Sequence, residues 1–168
     1  LFETKLALET MAAIGKAVGS DVPFFLHGGA ALVKGRGEIL EPIPARDDYW
    51  ALLVYPGFPI STPEAYRLLD MLRPDDSLEP DPPDEELRSA YGREPHSWPY
   101  ANSFEAPLSQ GRPEIGSWLS RLKDAGAPFS RMSGSGSTLF GVFEDEDGAL
   151  AAERSLAKAG FGQNGIVP

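Results

Sequence analysis

The chain has 168 residues, 42% hydrophobic and 24% charged, the balance of one folded domain or two small lobes rather than of a disordered segment. Its formal net charge is −10, from 15 Lys and Arg against 25 Asp and Glu, which argues against a surface that binds nucleic acid by releasing counterions. With no Cys there are no disulfides, thiolate-held zinc ions, iron–sulfur clusters or thiol nucleophiles, and no apolar run reaches the ~18 residues that cross a bilayer.

Leu1 to Lys5 lack the charged start and apolar stretch of a signal peptide, so the cytoplasm is the expected compartment. Leu6, Met11, Ile14 and Val18, with Ala between them, have helical spacing and predict a helix that stops at Gly19. Because the chain starts with Leu inside this helical text, a fragment of a longer protein is expected. Val22-Pro23-Phe24-Phe25-Leu26 is a short apolar run, Gly28-Gly29 a turn, and Ala30 to Val33 a second apolar run. Together with Glu38 to Ile43 they predict strands separated by glycine turns. Tyr49 to Tyr55 is apolar on both faces and predicts a central strand, closed by Pro56-Gly57. Thr62-Pro63-Glu64 predicts a helix start, with Thr62 as cap and Pro63 in the first turn, continuing through Tyr66, Leu68, Leu69 and Met71.

Residues 74–87 hold seven acidic residues and four prolines with no basic residue, so the remainder carries only 15 − 18 = −3. The acidity is concentrated in one stretch, which is expected to be a solvated connection rather than a docking tail. Helices are predicted over Asp84 to Tyr91, over Pro113 to Ala125 with Ile115, Trp118, Leu119 and Leu122 on one face, and over Gly148 to Ala159 with Gly160 as stop. Phe129 to Met132, Thr138 to Phe143 and Gln163 to Pro168 predict strands. The order after Trp50 is strand, helices, strand, strand, helix, strand, which predicts an α+β sandwich with an antiparallel sheet.

The strongest local motif is Met132-Ser133-Gly134-Ser135-Gly136-Ser137-Thr138. Alternating Gly and Ser lets backbone N–H groups converge and adds hydroxyl donors, an arrangement suited to phosphate oxygens. No Gly-Lys-Ser/Thr follows, so it is not a Walker A loop, and Ser133 stands where a hydrolase elbow would need Gly. Composition leaves two readings open, an anion cradle and a flexible hairpin turn. Gly35-Arg36-Gly37-Glu38 lacks the third glycine of a dinucleotide fingerprint and predicts a hairpin turn. His27 and His96 are the only histidines and lie far apart, so structural roles are expected for both and no metal-ligating residue is expected. Asp21 falls between the predicted helix end and the Pro23-aromatic run, a junction that can fix a carboxylate.

Gly19-Ser20-Asp21-Val22-Pro23-Phe24-Phe25-Leu26, Gly35-Arg36-Gly37-Glu38 and Met132 to Ser137 closely resemble, in order and spacing, the 4-diphosphocytidyl-2-C-methyl-D-erythritol kinases, a branch of the GHMP kinases. Pro56-Gly57, Ser61-Thr62-Pro63-Glu64-Ala65-Tyr66 and Asn102-Ser103-Phe104-Glu105 are similar to that family as well. The resemblance implies a two-lobe GHMP architecture and phosphorylation of the 2-hydroxyl of cytidine-diphosphate-linked methylerythritol by ATP, with Mg²⁺ travelling on the nucleotide. It implies that Asp21 is the catalytic carboxylate and that Ser133, Gly134, Ser135, Gly136 and Ser137 close around phosphates. It further implies that Tyr66 lies against the cytosine and that Thr62 binds substrate. The family's N-terminal half has no counterpart here, including a lysine that works with the aspartate and a Gly- and Ser-rich loop for ATP. Residues 1–46 are therefore expected to finish an N-terminal ATP-binding lobe and residues 47–168 to form the C-terminal lobe. The expected partners are the two small substrates and that missing half, and not nucleic acid or membrane. Alone, the chain is expected to be inactive. The alternatives are a non-catalytic nucleotide- or anion-binding module, and another GHMP kinase acting on homoserine or mevalonate, which the Asp21 to Phe25 block disfavours.

Overall fold

The computed structural model describes residues 6–72, 82–158 and 164–167. The chain divides into two compact units, Leu1–Arg46 and Asp47–Pro168. In the first, helix α1 (Leu8–Val18) packs on a short helix α2 (Val22–His27), followed by strands β1 (Ala30–Lys34) and β2 (Ile39–Ile43). The two strands form an antiparallel hairpin that pairs Leu32 with Glu41. The α1–α2 approach depends on Gly15, where a Cβ would lie 2.9 Å from Val22 Cγ1. Ile14, Val18 and Phe25 are exposed.

The run Val22 to Leu26 is helical, which overturns its prediction as a strand. Pro23 sits in the first turn, where its missing N–H costs no hydrogen bond, and Gly28 at φ 68° ends the helix with its N–H on the Phe24 carbonyl. A β-branched and aromatic run is strand-like only when it has a strand to pair with, and here its neighbour is α1. Asp21 is consequently the cap residue of a short helix instead of the residue before a strand, and its side chain makes no capping bond.

The second unit is the predicted α+β arrangement. Strand β3 (Trp50–Val54) is followed by helices α3 (Thr62–Leu72), α4 (Asp84–Tyr91), α5 (Glu105–Gly111) and α6 (Pro113–Asp124), with a 3₁₀ turn at Pro95–Ser97. Strands β4 (Phe129–Met132) and β5 (Leu139–Phe143), helix α7 (Glu146–Lys158) and strand β6 (Asn164–Val167) complete it. The sheet order is β4-β5-β3-β6, with every pairing antiparallel, so β3 is central as its doubly apolar sequence requires. Helix α5 goes unpredicted because it contains Pro107; at the third helical position that proline has no N–H to lose to the helix ladder. Parts of three predictions, the acidic stretch over 74–81, the helix stop at Ala159-Gly160 and the strand ends at Gln163 and Pro168, lie outside the described residues.

One sheet face carries Leu52, Val54, Leu139 and Phe143, and α6 and α7 cover it with Ile115, Leu122, Ala149, Ala152 and Leu156. Burying each large aliphatic side chain contributes about 1.5–3 kcal/mol, so this seam holds the unit together. Gly141 lets α6 come close: a Cβ there would stand 3.0 Å from Leu122 Cδ2 and 3.0 Å from Ala127 Cβ. The opposite face carries Phe129, Arg131 and Phe140, with Trp98 and Tyr100 beside them. Core and sheet thus fix the C-terminal end of β4, from which the Gly/Ser loop departs.

Candidate functional site

Loop 133–137 connects β4 to β5 and is closed at its ends by the Ser133 N–H, which donates to the Thr138 carbonyl at 2.8 Å. The Gly136 N–H donates back to the Ser133 carbonyl at 3.0 Å, turning the chain sharply. Gly134 and Gly136 take φ of 52° and 86°, the left-handed region that glycine enters without steric cost. Among the described residues the N–H groups of Gly134 and Ser135 stay outside these loop bonds. The hydroxyls do not act alike. Ser137 is buried and donates to the Phe58 carbonyl, fixing the loop exit, and Ser135 Oγ lies 2.9 Å from Thr62 Oγ1. Ser133 is exposed.

Thr62 begins α3, and Tyr66 follows one turn later on the same helix. Tyr66 is 55% exposed and meets Phe104 edge-on, with ring centroids 5.0 Å apart and planes at 82°. One face of an aromatic pair is thereby held against protein while the ring remains accessible. The structure therefore brings Thr62, Tyr66 and the Gly/Ser loop together in one unit.

The base of the loop is held by residues for which the sequence suggested no role. Asn102 Nδ2 donates to the carbonyls of Met132 and Gly134, each at 2.7 Å, and its Oδ1 accepts the Phe104 N–H at 2.9 Å. Glu105 Oε1 accepts the Met132 N–H at 2.7 Å. The bonds to Met132 and Gly134 span 27 to 32 residues of sequence, and no local pattern reports them. Next to them lies a cavity of about 540 Å³ lined by Trp98, Tyr100, Phe104, Phe129, Arg131 and Phe140 among others. Arg131 is fixed there by bonds from Nε to the Tyr100 carbonyl and from Nη1 to the Ser130 carbonyl, with its guanidinium over the Phe129 ring. Burial, reinforced by Tyr91, raises the Tyr100 hydroxyl above its ordinary pKa.

Asp21 belongs to the first unit, where it is exposed and lies against the β1–β2 turn. A Cβ on Gly37 would collide with Asp21 Oδ1 and lie 3.2 Å from Ser20 Cβ. Gly37 therefore makes room for the carboxylate, so the glycine turn predicted as a plain hairpin also positions Asp21. Close by, the Glu38 carboxylate accepts the Arg36 N–H at 2.6 Å. Its pKa is held below the ordinary value by backbone N–H groups, its own first and then that of Arg36, with help from the charges of Lys16 and Arg36. Gly37→Ala is expected to push the Asp21 carboxylate aside and, because φ is 112°, to destabilise the first unit by about 1–2 kcal/mol; denaturant unfolding of the complete protein measures it. His27 closes α2, and His96 lies in the 3₁₀ turn. Among the described residues no group of three or more His, Asp or Glu side chains could hold a metal ion, and no helix is long and apolar enough to cross a membrane.

The Gly/Ser loop leaves the edge strand of an antiparallel α+β sheet, and residues 96–162, which include it, match the family GHMP kinases C terminal. Over those residues the chain is similar to the C-terminal domain of GHMP kinases. Along 94% of its length it is 38% identical, over 164 residues, to the 4-diphosphocytidyl-2-C-methyl-D-erythritol kinase of Treponema pallidum (strain Nichols), of which it covers 56%. Its fold matches a crystal structure of 4-(cytidine 5'-diphospho)-2C-methyl-D-erythritol kinase with a TM-score of 0.78 at 33% identity, covering 98% of this chain and 57% of that one. A homoserine kinase from Cytophaga hutchinsonii shares the fold alone, with a TM-score of 0.57 at 18% identity over 85% of this chain and 49% of its own. The chain spans about half the length of the curated relatives it matches.

Proposed function

We propose that this chain is the C-terminal part of an ATP-dependent kinase that phosphorylates the 2-hydroxyl of 4-diphosphocytidyl-2-C-methyl-D-erythritol, for isoprenoid biosynthesis. The observation that carries the reading is the joining of the Gly/Ser loop to Thr62 on the helix that presents Tyr66. A phosphate cradle and an aromatic platform thereby share one unit, as a substrate made of a base, a diphosphate and an alcohol requires. The likeness in sequence and fold to kinases of that name supports the same choice over a homoserine or mevalonate kinase.

In this reading residues 1–46 finish an N-terminal ATP-binding lobe, and residues 47–168 are the C-terminal lobe. Asp21 accepts the proton of the acceptor hydroxyl as its oxygen bonds to the γ-phosphorus and the bond to the β-phosphate oxygen breaks, releasing ADP. The N–H groups of Gly134 and Ser135 hold negative charge on phosphate oxygens, and Gly136 lets the backbone come near. Ser133 adds a hydroxyl at the loop mouth, while Ser135 and Ser137 keep the loop in shape. Thr62 acts at the substrate through Ser135. Mg²⁺ arrives with ATP, and no step here rests on a metal held by these residues. Both substrates are cytoplasmic nucleotides in this reading, which places the enzyme in the cytoplasm.

Tyr66 stacks on the cytosine. Base–aromatic stacking is worth about 1–3 kcal/mol, so Tyr66→Ala is expected to weaken binding of the cytidine substrate by about tenfold or more, with Tyr66→Phe mild. Calorimetric titration of the complete protein with that substrate checks it; equal affinity for the Ala variant would leave Tyr66 as a packing partner of Phe104 only.

A further inference from the structure

We propose that Asn102 is a positioning residue that locks the phosphate loop and the Phe104–Tyr66 ring pair into one rigid unit. The inference rests on the kinase reading above and adds to it a residue that couples its two halves. All three bonds of the Asn102 amide point to this role. The Nδ2 group donates to the carbonyls of Met132, at the end of β4, and of Gly134 in the loop, and Oδ1 takes the N–H of Phe104. The partners also fix the amide orientation, since two carbonyls need the nitrogen and an N–H needs the oxygen. Asn102 is half-buried, and its own carbonyl accepts the Glu105 N–H at 3.0 Å, which starts α5. Glu105 then reaches back to the Met132 N–H. The last residue of β4 is gripped at its N–H and at its carbonyl by two residues of the same short segment.

On the other side of Asn102, the Phe104 it orients is the ring against which Tyr66 rests. A shift of the loop by phosphate is transmitted through this side chain, alongside the Ser135–Thr62 contact, to the base platform, and the reverse also holds. The two amide bonds to the loop are short enough that a carboxylate in their place would meet both carbonyls with like partial charge.

The experiment uses the complete protein with two variants, Asn102→Asp and Asn102→Ala, assayed for turnover and for binding of the cytidine substrate. Asn102→Asp keeps the acceptor for Phe104 and loses both donors. It is expected to lower kcat by about 10- to 100-fold while cytidine-substrate affinity stays near that of the unaltered protein. The introduced carboxyl regains one donor when protonated, so its deficit relative to the unaltered protein is expected to shrink as the pH is lowered from about 8 toward the carboxyl range, about pH 4 to 5. Asn102→Ala loses donors and acceptor together and is expected to lower kcat and substrate affinity in parallel, with no such recovery; it also keeps the test open should the carboxylate variant not fold. Unaltered kcat in either folded variant overturns the proposal, as does an Asn102→Asp deficit that is the same at every pH and is matched by an equal loss of cytidine-substrate affinity. Both results leave the kinase reading standing. A complete unaltered protein with no turnover of the cytidine substrate overturns both.

Discussion

Asp21→Asn in the complete protein is expected to lower kcat by at least two orders of magnitude, with little change in the affinity for either substrate. A positioned general base contributes about 10²–10⁴-fold, and the amide keeps the size of the carboxylate while losing its ability to take a proton. The structure makes this substitution unusually clean. Asp21 occupies the cap position of α2, but its side chain makes no capping bond, so the helix does not depend on the charge. It is exposed, and a surface substitution of this kind changes stability by no more than about 0.5 kcal/mol. The carboxylate is placed instead by the bare Cα of Gly37 beneath it. Saturating steady-state kinetics, run beside a thermal melt, separate the two effects. A melt unchanged with kcat near normal would remove Asp21 from the chemistry.

How far the sequence discloses this site depends on whether the relevant contacts are local. Strand β3 was legible because Leu52 and Leu53 point to opposite faces and both faces are apolar, a pattern that holds whatever else the chain does. Helix α6 was legible for the same reason, as Ile115, Trp118 and Leu122 recur at helical spacing and are buried on one side. The Gly/Ser loop announced its backbone freedom through composition, and Gly134 and Gly136 do take positive φ. Val22 to Leu26 misled because propensity favours a strand, while the close approach of α1 at Gly15 decides for a helix. Asn102, Glu105 and Gly37 were hidden for another reason. Their partners stand 30, 27 and 16 positions away in the chain, respectively Met132, Met132 and Asp21, and spacing within a single element carries no trace of such pairings.

Gly136→Val carries the other large expected effect, and comparison with Gly134→Val isolates its cause. Both glycines have positive φ, at 52° for Gly134 and 86° for Gly136, so a β-branched residue at either is strained by about 1–2 kcal/mol. Around Gly134 nothing lies within 4 Å of an added Cβ, whereas at Gly136 that atom would stand 2.7 Å from Met132 Sδ and 3.0 Å from Ile60 Cδ1. Met132 has little room to yield. It is 2% exposed, its N–H is held by Glu105 and its carbonyl by Asn102. Ile60 is packed against the same core. Overpacking of this kind adds about 1–3 kcal/mol, and the loop relieves it by swinging outward, away from the Thr62 contact and from any phosphate. The sheet beneath does not depend on the loop tip, so the fold is expected to survive. In the complete protein kcat/KM for ATP should therefore fall at least about 100-fold for Gly136→Val, and by no more than about tenfold for Gly134→Val, whose cost is strain alone. Steady-state kinetics with far-ultraviolet circular dichroism checks both variants. Equal losses at the two positions would mean that backbone strain, and not the contact with Met132 and Ile60, governs the loop.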